Sequence, residues 1–179
     1  MMKKTIIRSL LFTVIALSVT QLEAQKLSKK FSFGIGLEGG IVTGVYNDLY
    51  GANGGLTLRG SYHVGPGFVT LTSGAIGEIP KSFDGEDLKA AVLIPVRAGY
   101  KYIFNDHFFA MGEIGYGSLR TFYTDENDDL QSETSGGFLY CPSVGAQFGT
   151  TEISLRYESV SVEKGVTLSS IGLRLGFNF

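Results

Sequence analysis

From Ile171 to Phe179 the chain alternates strictly. Ile171, Leu173, Leu175, Phe177 and Phe179 are apolar, and Gly172, Arg174, Gly176 and Asn178 between them are small, charged or polar. A period of two over this length describes a β-strand with one apolar and one polar face. A soluble strand alternates as well, so the constraint comes from recurrence. The pattern returns along the chain, and every strand it marks has an apolar face that must find a non-aqueous neighbour.

The first such strand sets Phe31, Phe33, Ile35, Leu37 and Ile41 against Ser32, Gly34, Gly36, Glu38 and Gly40. The second opposes Leu56, Leu58, Tyr62 and Val64 to Thr57, Arg59, Ser61 and His63, and the third Val69, Leu71 and Ala75 to Thr70, Thr72 and Gly74. In the fourth, Val92, Ile94, Val96, Ala98, Tyr100 and Tyr102 face away from Arg97, Gly99 and Lys101. The fifth places Phe108, Ala110, Ile114 and Tyr116 opposite Met111, Glu113, Gly115 and Gly117. The sixth separates Phe138, Tyr140, Val144, Ala146 and Phe148 from Ser143, Gly145 and Gln147. The seventh separates Ile153, Leu155 and Tyr157 from Ser154, Arg156 and Glu158, and the final strand follows.

The connections sort by parity. The second, fourth and sixth are tight turns at Gly65-Pro66-Gly67, Asn105-Asp106-His107 and Gly149-Thr150-Thr151. The first, third and fifth are long and polar, over Thr43–Asn53, Gly77–Lys89 and Thr121–Ser135. The seventh, at Glu163-Lys164-Gly165, is the short exception. Eight strands of about ten residues each have the length a tilted strand needs to cross a bilayer, and alternating short and long connections suit an up-and-down barrel. The expected fold is all-β: an eight-stranded antiparallel up-and-down transmembrane barrel over residues 25–179.

The segment before it reads as an export signal. Lys3, Lys4 and Arg8 form a basic start, Leu10 to Val19 is apolar, and Leu22-Glu23-Ala24 offers a cleavage site before Gln25. The apolar run is short for a transmembrane helix, and no cysteine follows it to carry a lipid anchor. Residues 1–24 are therefore assigned to a signal peptide. The single cysteine, Cys141, excludes an intramolecular disulfide framework and a cysteine-based zinc cluster. A net charge of −2 gives no case for nucleic acid.

One alternating pattern admits two barrels. A soluble carrier of the lipocalin type keeps apolar residues inside, whereas a membrane barrel turns them out. The polar face decides. It is rich in glycine and carries Glu38, Arg59, Arg97, Lys101, Glu113, Arg156, Glu158 and Arg174. Glycine on a solvated exterior weakens strands without return, but inside a narrow barrel it makes room for long charged side chains. Phe31, Phe33, Tyr62, Tyr100, Tyr102, Phe108, Phe148, Phe177 and Phe179 lie near strand ends on the apolar face, as an interfacial aromatic girdle would.

On these features, and on the closing Ile-Gly-Leu-Arg-Leu-Gly-Phe-Asn-Phe, the mature chain resembles the small eight-stranded outer-membrane barrels. The class includes the transmembrane domain of outer-membrane protein A, outer-membrane protein X and the outer membrane beta-barrel proteins of Bacteroidetes-type bacteria. The resemblance implies residence in the bacterial outer membrane, among its lipid and lipopolysaccharide. It implies biogenesis through periplasmic chaperones and the barrel-assembly machinery, with Phe179 as the assembly signal. It also implies a monomer without a cofactor.

The inward charges are the defined constellation. Three carboxylates among five cations in one lumen must pair with one another, because an unpaired buried charge is costly. A plug of salt bridges is the expected result, since eight strands leave room only for side chains; a narrow pore or transport component is the alternative. An enzymatic reading has only His63 and His107 to draw on, both beside tight turns and away from the loop end, so none is adopted. The acidic run Asp125 to Asp129 lacks the glycine and spacing of a calcium loop, and no metal site is assigned. Cys141 falls on the inner face as a small core residue. Pro95 and Pro142 interrupt strands, where bulges or distorted pairing are expected. A structural or surface-interaction role follows, with Tyr46, Tyr50, Phe83 and Phe122 displayed on the loops.

Overall fold

Strict alternation gives each strand of this chain a face that cannot meet water, and closing the sheet on itself removes every edge. The computed structural model describes residues 30–81, 91–124, 130–163 and 166–179. The export signal over 1–24, Phe83 and the acidic run Asp125 to Asp129 lie outside the described residues. Eight strands form one closed antiparallel barrel in chain order: β1 Phe31–Thr43, β2 Tyr50–Val64, β3 Gly67–Pro80, β4 Ala91–Ile103, β5 Phe108–Thr124, β6 Leu130–Phe148, β7 Thr151–Glu163 and β8 Val166–Asn178. The seam runs from Gly34 opposite Asn178 to Thr43 opposite Ser169. Phe179 extends it, its N–H donating to the Phe33 carbonyl at 2.7 Å.

The faces are inverted relative to a water-soluble protein. Leu71 is 59 % exposed and Ile114 60 %, while Arg97 and Arg174 are 0 % exposed. Apolar residues turned outward with arginines sealed inside are unstable in water and favourable in hydrocarbon. The lipocalin-type alternative, which needs the opposite arrangement, has no support here.

The tight turns fall where glycine and proline place them. Gly65 (φ +60°) and Gly149 (φ +60°) hold the left-handed backbone that two-residue hairpins require. Phe31, Tyr62, Tyr102, Phe108, Phe148 and Phe177 collect at this end of the outer face, and all are exposed. Toward the opposite end the described residues include an arc of Tyr116, Phe138 and Tyr140 on neighbouring β5 and β6, with Tyr157 of β7 beside Tyr140.

The strand ends differ from expectation, and of the two outcomes expected at the prolines, bulges or distorted pairing, the second is seen. The strands run further into the long connections than alternation indicates: β2 starts at Tyr50, β3 reaches Pro80, and β5 and β6 pair out to Thr124 opposite Leu130. Backbone pairing persists there because the ladder joins main-chain groups whatever the side chains, and a mixed sequence of polar and apolar residues erases the period-two signal. Neither proline creates a bulge. Pro95 stays in register with Gly117 of β5, and Pro142 with Gly112. The missing N–H shows on the other side of each: β3–β4 pairing is interrupted between Ser73–Val96 and Ile76–Leu93, and β6–β7 between Tyr140–Ser159 and Ser143–Arg156. Register is unchanged across both gaps.

The lumen is layered. Toward the long connections an apolar core fills it, built from Val42, Ile76, Leu93, Leu119, Leu139, Val160 and Leu168. Sequence reasoning missed this layer because these residues share the parity of the charged face, where polar or small residues are expected, and several of them lie at or beyond the ends of the periodic stretches. Below it lies the charged layer.

Candidate functional site: the charged lumen

All eight charges placed inside by parity meet in one network. Its outer focus is Glu38 of β1 with Glu158 of β7. Arg97 Nη1 donates to Glu158, and Arg97 Nη2 lies 3.2 Å from Glu38 Oε1. Arg156 pairs with Glu38 and, through Nη2 at 2.7 Å, with Glu158 Oε2. The same Nη2 lies 3.1 Å from Cys141 Sγ, which makes the buried thiol an acceptor at the edge of the network.

The inner focus, toward the tight turns, is Glu152. Its Oε1 accepts from Arg59 Nη1 at 2.8 Å and Arg174 Nη1 at 3.0 Å, and its Oε2 from Lys101 Nζ at 2.6 Å. Lys101 also donates to Gln147 Oε1 at 2.6 Å and stands 4.3 Å from the Phe109 ring centroid. Glu113 links the foci, with Oε2 3.7 Å from Arg59 Nη2 and 4.0 Å from Arg97 Nε. Hydroxyls complete the shell: Thr57 donates to Glu38 at 2.9 Å and Thr72 to Glu113 at 2.6 Å.

Sequence reasoning omitted Glu152, which sits one residue past the turn Gly149-Thr150-Thr151. Its parity with Ser154, Arg156 and Glu158 was the available signal. The omission mattered, since Glu152 takes three of the cations. Glu78, also buried, was hidden in an expected loop; it takes part in none of the ion pairs among the described residues. With both included, the inner face carries five carboxylates (Glu38, Glu78, Glu113, Glu152, Glu158) against Arg59, Arg97, Lys101, Arg156 and Arg174.

The glycines do what the sequence implies. A Cβ on Gly36 or on Gly176 collides with the Arg174 guanidinium, and one on Gly99 comes within 2.7 Å of Glu113 Cγ. Both histidines sit at the tight-turn end, away from this network: His63 packs edge-on against Phe68 and His107 against Phe148, each at 5.1 Å between ring centroids. Among the described residues no cluster of His, Cys, Asp and Glu is arranged to hold a metal.

A closed eight-stranded barrel with a charged, side-chain-filled lumen and an apolar outer wall is a fold shared with small barrels of bacterial outer membranes. No family model matches the sequence, and no curated protein does. Among solved structures, the chain is similar to Ail, the attachment invasion locus protein of Yersinia pestis: 17 % identity, 85 % of this chain and 100 % of that one, TM-score 0.64. It also resembles the N-terminal β-barrel domain of Pseudomonas aeruginosa OprF, at 13 % identity, 83 % and 97 % coverage and TM-score 0.57. Neisserial surface protein A follows at 11 % identity, 83 % and 97 % coverage and TM-score 0.58. At these identities the likeness is one of fold.

Proposed function

We propose that the protein is an integral barrel of the bacterial outer membrane with a structural or surface-interaction role, exported by residues 1–24 and displaying its long connections outside the cell. The observation that carries this is the doubly closed lumen. An apolar core and a paired charge layer lie in series, so the barrel is an anchor and not a conduit. The narrow-pore alternative would need both layers to part. The absence of enzymatic activity belongs to the same reading, as do placement in the Bacteroidetes-type outer membrane beta-barrel family and assembly through Phe179, whose aromatic ring stands on the outer wall.

Ail has been crystallised with a heparin analogue, sucrose octasulfate. That property is not carried over. The connection from β5 to β6 bears Asp125, Glu126, Asp128 and Asp129, with Glu133 and a single cation, Arg120, on the flanking strand ends, the wrong sign for a polysulfated ligand. Basic or neutral surface molecules suit it better.

Two measurements test the proposal. Unheated and boiled samples of the purified protein should migrate differently in SDS gels, with the protein recovered in the outer-membrane fraction. In planar bilayers it should give no steady conductance. A steady channel whose conductance changes with Arg97 or Glu113 substitutions would establish the pore instead.

A further inference from the structure

The outer wall is not uniformly convex. On β4, β5 and β6 a transverse row of paired residues runs Tyr100, Gly112, Pro142, and the next row runs Tyr102, Ala110, Val144. Across the β6–β7 interruption these rows continue with Tyr157 paired to Ile171, and with Leu155. Large side chains thus stand on either side of a floor made from Ala110, Gly112 and Pro142. The result is an open groove of about 620 Å³ midway along β6. A Cβ added to Gly112 has no neighbouring atom within 4 Å, so the floor is empty space and not packed wall.

The groove is shallow and open to the outer surface. It coincides with the stretch where Pro142 offers no N–H and the β6–β7 ladder is interrupted. Tyr157, which lines the groove on the β7 side, packs against Tyr140 with ring centroids 6.0 Å apart.

We infer that this groove seats one acyl chain of an outer-membrane phospholipid, held in place longer than the chains that cover the rest of the barrel. The groove is continuous with the exposed apolar belt, which on the membrane reading above is already the interface with hydrocarbon. Its exposed lining is almost wholly apolar, and a low floor between larger neighbours gives a flexible acyl chain a place to lie against the wall. A second copy of the chain would present the same convex wall and leave the floor unfilled.

Native mass spectrometry of the detergent-purified protein, titrated with dipalmitoyl phosphatidylethanolamine, tests this directly. The wild type should retain one lipid per barrel. Gly112→Phe and, independently, Ala110→Leu should lower retention about tenfold, whereas Ala75→Leu on the exposed face of β3 should not. Equal retention in all four proteins overturns the inference. So does a Gly112→Phe barrel that changes from paired to single copies, which would make the groove a self-association surface. Cold-SDS mobility separates the two readings. A wild-type chain that is not an SDS-resistant barrel overturns the membrane reading and this inference with it. A resistant barrel with unchanged retention overturns only the inference.

Discussion

Glu152 shows how far one side chain can be decisive and still escape a sequence reading. It accepts from Arg59, Lys101 and Arg174, so its loss leaves three buried cations short of a counter-charge. Glu152→Gln should cost about 3–5 kcal/mol in urea unfolding from lipid bilayers. Glu78→Gln removes no ion pair and should cost much less, and the reverse ranking would mean that the network has been misassigned. The eight charges that were legible all lie inside strictly alternating stretches, where parity fixes the face. Glu152 and Glu78 sit at the edges of turns and loops, where composition speaks louder than period. Isolated charges such as Arg97 and Glu158 were readable as inward, but their pairing partners were not, because pairing depends on how the strands stagger around the ring.

Among the elements, β6 carries the most consequence. Pro142 keeps its place opposite Gly112 and loses pairing only toward β7, so the absent N–H pointed at β7. Pro142→Ala restores that donor on the lipid-facing side, where an unmet backbone group is expensive. A gain of about 0.5–1.5 kcal/mol in unfolding free energy is expected, together with slower amide exchange at the β6–β7 junction. An unchanged exchange pattern would show that the gap has another cause. Strand existence and order were legible throughout, since each apolar face repeats every second residue. Strand ends were not. Thr121 to Thr124 and Leu130 to Ser135 pair fully, yet they mix polar residues on both faces. The apolar core was missed for a related reason: Leu139 and Leu93 share parity with Cys141 and Pro95, and an inward-facing leucine breaks the expected rule of polar inside, apolar outside. Leu139→Ala should destabilise by about 2–5 kcal/mol in the same unfolding assay.

For the whole molecule, the buried position of the ion pairs sets their response to salt. Screening acts on solvated charges, with a Debye length of about 3 Å at 1 M, and every ion-paired side chain of the charged layer is at most 7 % exposed. The unfolding midpoint should therefore stay nearly constant between about 0.05 M and 1 M sodium chloride. A large downward shift would place the charges in contact with water and reopen the question of a channel.

The ion pairs also run across the barrel as well as along it. Arg97 on β4 reaches Glu38 on β1 and Glu158 on β7, and Arg59 on β2 reaches Glu152 on β7. These links act as spokes in a rim. A hollow cylinder flattens easily when squeezed from the side, but a spoked one holds its circular outline under the lateral pressure of a crowded bilayer. The strand ends from which the long connections emerge then keep fixed spacings, a frame that does not breathe.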